Sequence, residues 1–528
     1  MALNLSRNTS VFVSTGNGVH ASGGSVVSLD NFGSGGSGYA VGDVITMGTT
    51  SGTGSGLRVI VASVNSGAVT SVAIPNNFRG TGYADNDTVT GTLNNGSDHG
   101  SETDFTAVVK GTTVSTTTDG SRLPTGLFKG NGTAANTFKI GVLDGYSFSQ
   151  GSDATDVTIS EAGASPNRGS KRFNDSLPPA EWSFGTYVRP YKHGSSSHRS
   201  TDVMDMCENI LWAAIAGASV TGANPSGTAS DPAVVCDGTD ADVSFARSDH
   251  HELLKMSIFF ALENTTYRLN ECQVNQAEID FSIDGIATIT WSGNATTIDQ
   301  VSTAIEDPSK ALIVTRTSAT DATDSTSTAT AYTEAYNYVD TTAPNDADYL
   351  RNKLSTLTLS HARNSANVLE VGGSGSAITY DINITGGSLT IANNITYVTP
   401  ETLGLVDVPV GSFTGARQIT GSLTMYLDTK SNGSNQLLSD LTAATDLVNN
   451  EFDMSLFMGG GSSSVPVVEF DLPKAHLQIP TIETADIIST TVEFAAQGTD
   501  LLTGDEMTVK YKGSTTHSDS TYATDYTV

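Results

Sequence analysis

SDATDVTISEAGASPNRGSKRFNDSLPPAEWSFGTYVRPYK, residues Ser152 to Lys192, decides how the whole chain reads. Its flanks, DVTISEAG and WSFGTYVRPY, carry the two-residue alternation of strands with one buried face. Between them the connection from Glu161 to Pro179 runs to about twenty residues, where a hairpin usually needs about 2 to 5. It places Arg168, Lys171 and Arg172 within five positions and next to Phe173, in a chain with only 26 basic residues. Such residues are more than a turn requires. The segment reads as an arm that contacts an acidic neighbour rather than as a solvated loop.

Strand patterns recur on both sides of the arm. TFKIGVLDGYSFSQ from Thr137 precedes it, and KMSIFFAL, NTTYRLNECQVNQAEIDFSI and ATITWSG follow. In between, DVMDMCENILWAAIAG, Asp202 to Gly217, has apolar residues at helical spacing and a Gly stop, which predicts a helix packed across the sheet. Trp182 and Trp291 read as core residues. Only 16% of residues are charged and 53 are Gly, as in folds of many short strands joined by turns. The fold class expected is mainly β, and 528 residues are enough for two to four domains without disulfide support.

Much of the pattern occurs twice. YDINITGGSLTIANNITY at Tyr380 parallels FKIGVLDGYSFSQ at Phe138, and GSLTMYLDTK with Tyr426 parallels WSFGTYVRPY with Tyr187, at offsets of 242 and 239 residues. GSNQLLSDLTAATDLVNN supplies a second helix, and KAHLQIPTIETADIISTTVEF parallels QAEIDFSIDGIATITW at a shorter offset. The second copy has its own long connection, Thr396 to Gln418, bearing Leu403, Leu405, Val408 and Phe413. Apolar residues in a loop mark an interaction surface. A strand hairpin docked on a neighbouring subunit is the preferred reading, and an extra strand buried in its own domain is the alternative.

Residues 16–136 have a different texture, rich in Gly, Ser, Thr and Asn. There Gly38, Tyr39, Ala40 and Asp43 return 44 residues later as Gly82, Tyr83, Ala84 and Asp87, the mark of a small duplicated β-module. Asp43, Asp85 and Asp87 read as turn acids rather than calcium ligands, since calcium needs six or more oxygens. Residues 301–348 are dominated by Thr, Ala, Ser and Asp and read as a linker, and 513–528 as a polar tail.

The chain carries 26 basic and 56 acidic residues, a net charge of −30. That argues against a protein that grips nucleic acid by neutralising phosphates, but not against one that DNA slides past. Cys207, Cys236 and Cys272 are odd in number and lack CxxC spacing, so a disulfide framework is not expected. The N-terminus has no signal-peptide pattern and no window reaches eighteen apolar residues, so neither export nor membrane insertion is expected.

The arm, LSRNTSVFVST at Leu5 to Thr15 and CQVNQAEIDFSIDGIATITWSG at Cys272 to Gly293 together resemble the major tail tube proteins of siphovirus-type phages, in the tequintavirus branch. The resemblance implies two tandem tail-tube-type β-sandwich or barrel domains, each with a packing helix. The first would be 1–15 with 137–300, interrupted by the module at 16–136, and the second 349–512. It implies a virion structural protein, assembled in the host cytoplasm, whose homotrimers form pseudo-hexameric rings that stack into the conduit for DNA ejection. Its partners would be other copies, a tape measure protein, and terminator and distal tail proteins, with DNA crossing the lumen unbound. Arg168, Lys171, Arg172, Phe173, Leu403, Leu405, Val408 and Phe413 are then candidates for contacts between rings or subunits. Asp280, Asp284, Asp381 and Asp428 are candidates for the lumen, where carboxylates would repel phosphates.

Enzyme chemistry finds little support. No GxSxG, HExxH or Walker motif occurs, and His250 and His251, adjacent on a strand, would point to opposite faces. No catalytic residue, metal or cofactor is expected. A secreted or surface-displayed β-rich adhesin, a glycan-degrading enzyme and another virion structural protein are the rival readings, and neither the adhesin nor the enzyme explains the duplication or the long arms.

Overall fold

The computed structural model describes residues 8–14, 26–74, 79–84, 86–93, 104–112, 128–129, 133–134, 137–158, 169–193, 203–216, 234–236, 240–245, 253–301, 339–340, 349–366, 368–398, 409, 411–442, 450–461, 466–483, 488–500, 504–513 and 516–517. The fold is mainly β, and the described residues contain two α-helices, Asn209–Ala216 (α1) and Ser434–Thr442 (α2).

One strand pattern is built twice. In the first half, Thr9–Ser14 pairs with Thr137–Ile140 and with Met256–Leu262. In the second, Thr356–His361 pairs with Ile378–Tyr380 and with Phe452–Met458. The register keeps the equivalence, since Val13 faces Phe138 as Leu359 faces Tyr380. Next come the arms, Asp153–Thr158 with Ser170–Ser176 and Thr396–Val398 with Gly411–Phe413. Ala180–Tyr187 then matches Gln418–Tyr426, α1 matches α2, and the long strand Thr265–Asp280, followed by Thr288–Ala295, matches Val467–Leu477, followed by Ser489–Ala496.

Each long strand serves two sheets. Residues 266–270 pair with Thr297–Val301 in an outer sheet, whereas 273–280 pair with Thr288–Ala295 in an inner one, and a register shift at Val274 to Gln276 separates the two runs. Such a shift bends a strand, which lets one element turn the corner of a sandwich. The inner sheets of the halves are continuous. Eight antiparallel strands run side by side: Ser147–Ser149, Ala180–Tyr187, Thr288–Ala295, Thr265–Asp280, Ile384–Ala392, Gln418–Tyr426, Ser489–Ala496 and Val467–Leu477.

A single hydrophobic core runs beneath this sheet through both halves. All eight residues of α1 are buried, so that helix is apolar on every side, as an interior helix must be. It is shorter than its sequence pattern predicts. Val203–Met206 forms a strand against Pro190–His193, and only the last eight residues before Gly217 are helical. Trp212 packs edge-on to Trp291 with ring centroids 5.1 Å apart, and Trp291 Nε1 donates to Thr186 Oγ1 at 2.9 Å. Trp182 is buried as well.

Residues 26–112 build a separate seven-stranded sheet with its own core. Its repeat is a local pseudo-twofold. Val44–Thr49 and Thr88–Leu93 pair antiparallel with Met47 opposite Gly91, positions 44 residues apart. Across that axis Tyr83 donates to the Met47 carbonyl at 3.3 Å, and Tyr39 to the Gly91 carbonyl at 3.5 Å. Gly38 and Gly82, ahead of each tyrosine, sit at φ of 86° and 76°, which glycine adopts without strain. Asp43 and Asp87 each accept the amide three residues back, from Ala40 and Ala84, at 2.8 Å, so both acids close turns. Asp85 lies outside the described residues.

Thr297–Val301 extends the outer sheet beyond ATITWSG, and Val339–Asp340, within the segment that reads as linker, pairs parallel with Phe138–Lys139. Thr516–His517 of the polar tail likewise pairs parallel with Lys192–His193.

Candidate assembly surfaces

The junction between the halves is bonded through both backbone and side chains. Its centre is a strand pair in which Gln276 to Asp280 face Ala392 to Ser388. Around it, buried Asn393 donates through Nδ2 to the carbonyls of Ile215 (3.0 Å) and Val274 (3.3 Å), which satisfies an end carbonyl of α1. The Ile395 amide donates to Asn275 Oδ1 at 2.8 Å, and the Arg417 guanidinium reaches the Phe245 carbonyl at 3.0 Å and stacks over its ring. The outer sheets are tied too, because Ala241–Ser244, from the connection after α1, pairs with Thr508–Lys512.

Beneath that outer pair lies a buried polar lock. Trp212 Nε1 donates to the Tyr511 hydroxyl at 2.9 Å, which in turn donates to Glu208 Oε1 at 2.6 Å. Burial pushes the Glu208 carboxyl up to about 7, opposed by the Tyr511 hydrogen bond and the nearby Arg189 charge. Burial thus favours the protonated acid, which lessens the cost of enclosing a charge.

At the two outer ends of the inner sheet, neither edge has such a partner among the described residues. Among the described residues Ser147–Ser149 pairs on one side, with Ala180–Tyr187. At the far end Val467–Leu477 and Thr481–Glu483 pair with Ser489–Ala496. Exposed edges of this kind template pairing with another chain.

Opposite the core, the inner sheet presents a polar face. Register rows run Gly185, Thr290, Glu278, Thr390, Thr420, Ala495 and, next to them, Tyr187, Thr288, Asp280, Ser388, Ser422, Glu493. Neighbouring hydroxyls touch, Ser388 with Ser422 and Thr424 with Thr491, each at 3.2 Å. Carboxylates on this face come from Glu181, Glu278, Asp280 and Glu493, and Lys474 at the outer edge is drawn to Glu451 at 3.2 Å.

Of the acids singled out in the sequence, only Asp280 stands on that face. Asp284 is in the turn after Asp280, Asp381 follows the strand Ile378–Tyr380, and Asp428 follows Gln418–Tyr426. Asp381 pairs with Lys430, and Asp428 accepts the Ser434 amide at 3.3 Å at the start of α2. These three are turn acids because the strands end before them. Glu181, Glu278 and Glu493 were legible as outward positions of alternating strands, had the register been known.

The first arm is a hairpin, not an irregular loop. Asp153–Thr158 and Ser170–Ser176 are exposed along almost their whole length. Arg172 forms a bidentate pair with Asp156 at 2.8 and 3.0 Å, and Lys171 lies over the Phe173 ring at 4.9 Å. Thus Arg172 is already engaged within the arm. The second arm is also a hairpin, with Phe413 exposed, and its root is seated on the first half of the same chain. There Tyr397 donates to the carbonyls of Glu271 (3.1 Å) and Asn294 (3.0 Å), and Ser412 bonds Gln273. Arg168, Leu403, Leu405, Val408, His250 and His251 lie outside the described residues.

Duplicated sandwiches sharing one sheet, open at both edges and furnished with protruding hairpins, define a self-assembling structural protein. No family model matches the chain. It is 36% identical over 372 residues to the tail tube protein pb6 of Escherichia phage T5, covering 70% of each chain. The chain belongs to the tail tube proteins of the tequintavirus branch of siphophages, structural proteins of the virion tail.

Proposed function

We propose that three copies of this chain close into a ring and that rings stack into the tail tube through which phage DNA is ejected. In this reading 1–15 with 137–300, and 349–512, are two tube domains, 301–348 links them, and 16–136 is an inserted module. The observation that carries it is the junction within the chain, where one half already offers the other the strand edge that a neighbouring copy would offer at the open ends. Eight strands from each of three copies, 24 in all, would leave no free edge in the inner sheet.

The duplication supports a specific register for that closure. Phe148 faces Trp182 as Leu389 faces Gly421, and Ile482 faces Thr490 as Ile279 faces Ile289. Because Ile279 faces Leu389 within the chain, Ile482 of one copy should face Phe148 of the next, and Thr481 should face Ser149. The polar face then lines the bore. Its hydroxyls are short, and Glu181, Glu278, Asp280 and Glu493 repel phosphates evenly along the axis, so DNA meets no binding site. Asp284, Asp381 and Asp428 lie at the rim. A tape measure protein inside, a terminator above and a distal tail protein below would complete the tail, assembled in the host cytoplasm, and no catalytic role is assigned.

Negative-stain microscopy with mass determination tests ring and tube formation. Cysteine pairs test the register: Glu278→Cys with Thr390→Cys should cross-link within a chain, whereas Ser149→Cys with Thr481→Cys should give covalent dimers and closed trimers. Intrachain cross-linking in tubes that give no covalent trimer would sink the proposed register.

A further inference from the structure

The two halves differ on the faces they turn away from the core. In the first half six strands of the outer sheet lie side by side: Val339–Asp340, Thr137–Ile140, Thr9–Ser14, Met256–Leu262, the start of Thr265–Asp280 and Thr297–Val301. One register row across them reads Asp340, Lys139, Phe12, Phe259, Arg268 and Asp299, apolar in the middle and charged at both ends. Alternation turns this row outward, since Val13, Ile258 and Phe260 beside it fill the core. Yet Phe12 is 2% exposed and Phe259 8%, with Ala261 at 6% and Val301 at 7% in the next row. Ser14, Ser257 and Thr266 on the same face are buried too.

These four apolar residues form a cluster of their own, which no second layer joins among the described residues. The second half shows the same face left bare. By register Phe12 corresponds to Thr358 and Phe259 to Ser455, because Val13 lies between Phe138 and Ile258 as Leu359 lies between Tyr380 and Met454. Thr358 is exposed and Ser455 half-buried. A sheet face that is apolar and shut from water has a layer upon it, whereas a polar face needs none.

Residues 302–338, between Val301 and Val339, lie outside the described residues. Thr297–Val301 and Val339–Asp340 are the two edges of the outer sheet and run the same way, since four antiparallel pairings and one parallel pairing separate them. Val301 stands in the row of Ser10 and Ala261, and Val339 in the row of Phe138 and Val13. The connection therefore returns about 10 Å along the strands and passes about 24 Å across them. The core fills the inner face, which leaves the outer one, and the shortest path over it passes Phe259 and Phe12. Fully extended, residues 302–338 reach about 120 Å, several times that span. In a segment dominated by Thr, Ser, Ala and Asp they carry ALIV at Ala311 to Val314 toward one end, and Tyr332, Tyr336 and Tyr338 toward the other.

We infer that residues 302–338 dock across the outer face of the first half and bury Phe12, Phe259, Ala261 and Val301. The occupant of that face is this chain's own connection between its halves, so one half of each chain is covered and the other is bare. This goes beyond the ring reading and does not rest on it, because it concerns a single chain.

The test uses the full chain with Phe259 replaced by the photoreactive benzoylphenylalanine. After irradiation of the monomer, mass spectrometry should map the cross-links to residues 302–338. Cross-links to 15–25 or 113–136, which flank the inserted module, or to another copy, or none at all, would overturn the inference. A second variant, Phe12→Thr with Phe259→Ser, installs the residues that the second half carries at these positions. Trypsin should then cut after Lys310 and Arg316 about tenfold faster than in the parent, because cleavage follows how often a docked segment opens. Cleavage after Arg268 and Lys474, within strands, should keep the parent's rate. Equal rates at Lys310 and Arg316 in variant and parent would show that the two phenylalanines do not hold the segment, and would overturn the inference while leaving ring formation untouched.

Discussion

The two halves are the same sandwich built twice, yet they do not treat each other alike. After α1 the first half runs a long connection whose strand Ala241–Ser244 joins the outer sheet of the second. After α2 only residues 443–451 separate the helix from Phe452, too few to send a comparable hairpin outward. Within one chain the halves are therefore joined through the inner sheet, the outer sheet and the Trp212–Tyr511–Glu208 lock, whereas closure onto a neighbouring copy would rest on the inner sheet and the arm. A ring of three chains would thus have two kinds of seam, one decided by folding and the other by assembly.

The largest effect that could break this comparison is Trp212→Ala. The side chain is fully buried against Trp291 and Tyr511, and removing it should cost about 3 to 5 kcal/mol. Calorimetry should show the whole tube portion destabilised, because the core is continuous across both halves. Loss confined to the first half would show that the halves fold independently.

Glu208→Gln sharpens the same seam through pH. Its carboxyl rises from 4.5 unfolded to about 7 folded, so between those values the folded chain holds a proton that the unfolded chain releases. Stability from this group must fall as pH rises through that window, by up to about 1.4 kcal/mol per pH unit. Gln keeps an acceptor for Tyr511 and cannot titrate, so the difference between parent and variant should change with pH from 5 to 7 and level off above. Parallel pH profiles would show that Glu208 does not carry this proton. A smaller loss, about 1 to 3 kcal/mol, is expected for Asn393→Ala, which strips the Ile215 and Val274 carbonyls of their donor.

How much of this was legible in the sequence follows from the range of each signal. Alternation in WSFGTYV and ATITWSG gave strands because it is local, and the matched Tyr187 and Tyr426 gave the duplication because it is a repeat. Pairing is not local. Nothing in QAEID says that it lies between ATITWSG and GSLTIA, so Glu278 could not be ranked above Asp284 as an outward-facing acid. The helix was overestimated at its start because DVMDM fits helical and strand spacing equally well, and the strand Pro190–His193 decides between them. The arms looked like loops because an exposed hairpin has no buried face to impose alternation.

The smallest expected effect concerns the third region, which belongs to neither half. Residues 26–112 have their own sheet and their own core, with Tyr39 and Tyr83 bonded reciprocally inside it. Its entry and exit points are the strands Thr9–Ser14 and Thr137–Ile140, which already pair with each other through Val11 with Ile140 and Val13 with Phe138. Joining those strands by a short turn after deleting 16–136 should therefore leave their register, the unfolding midpoint of the tube portion and tube formation unchanged. Microscopy of the deleted chain decides the matter: a folded chain that no longer assembles would mean that the module forms part of a seam, and that the contrast drawn between the two halves omits a third participant.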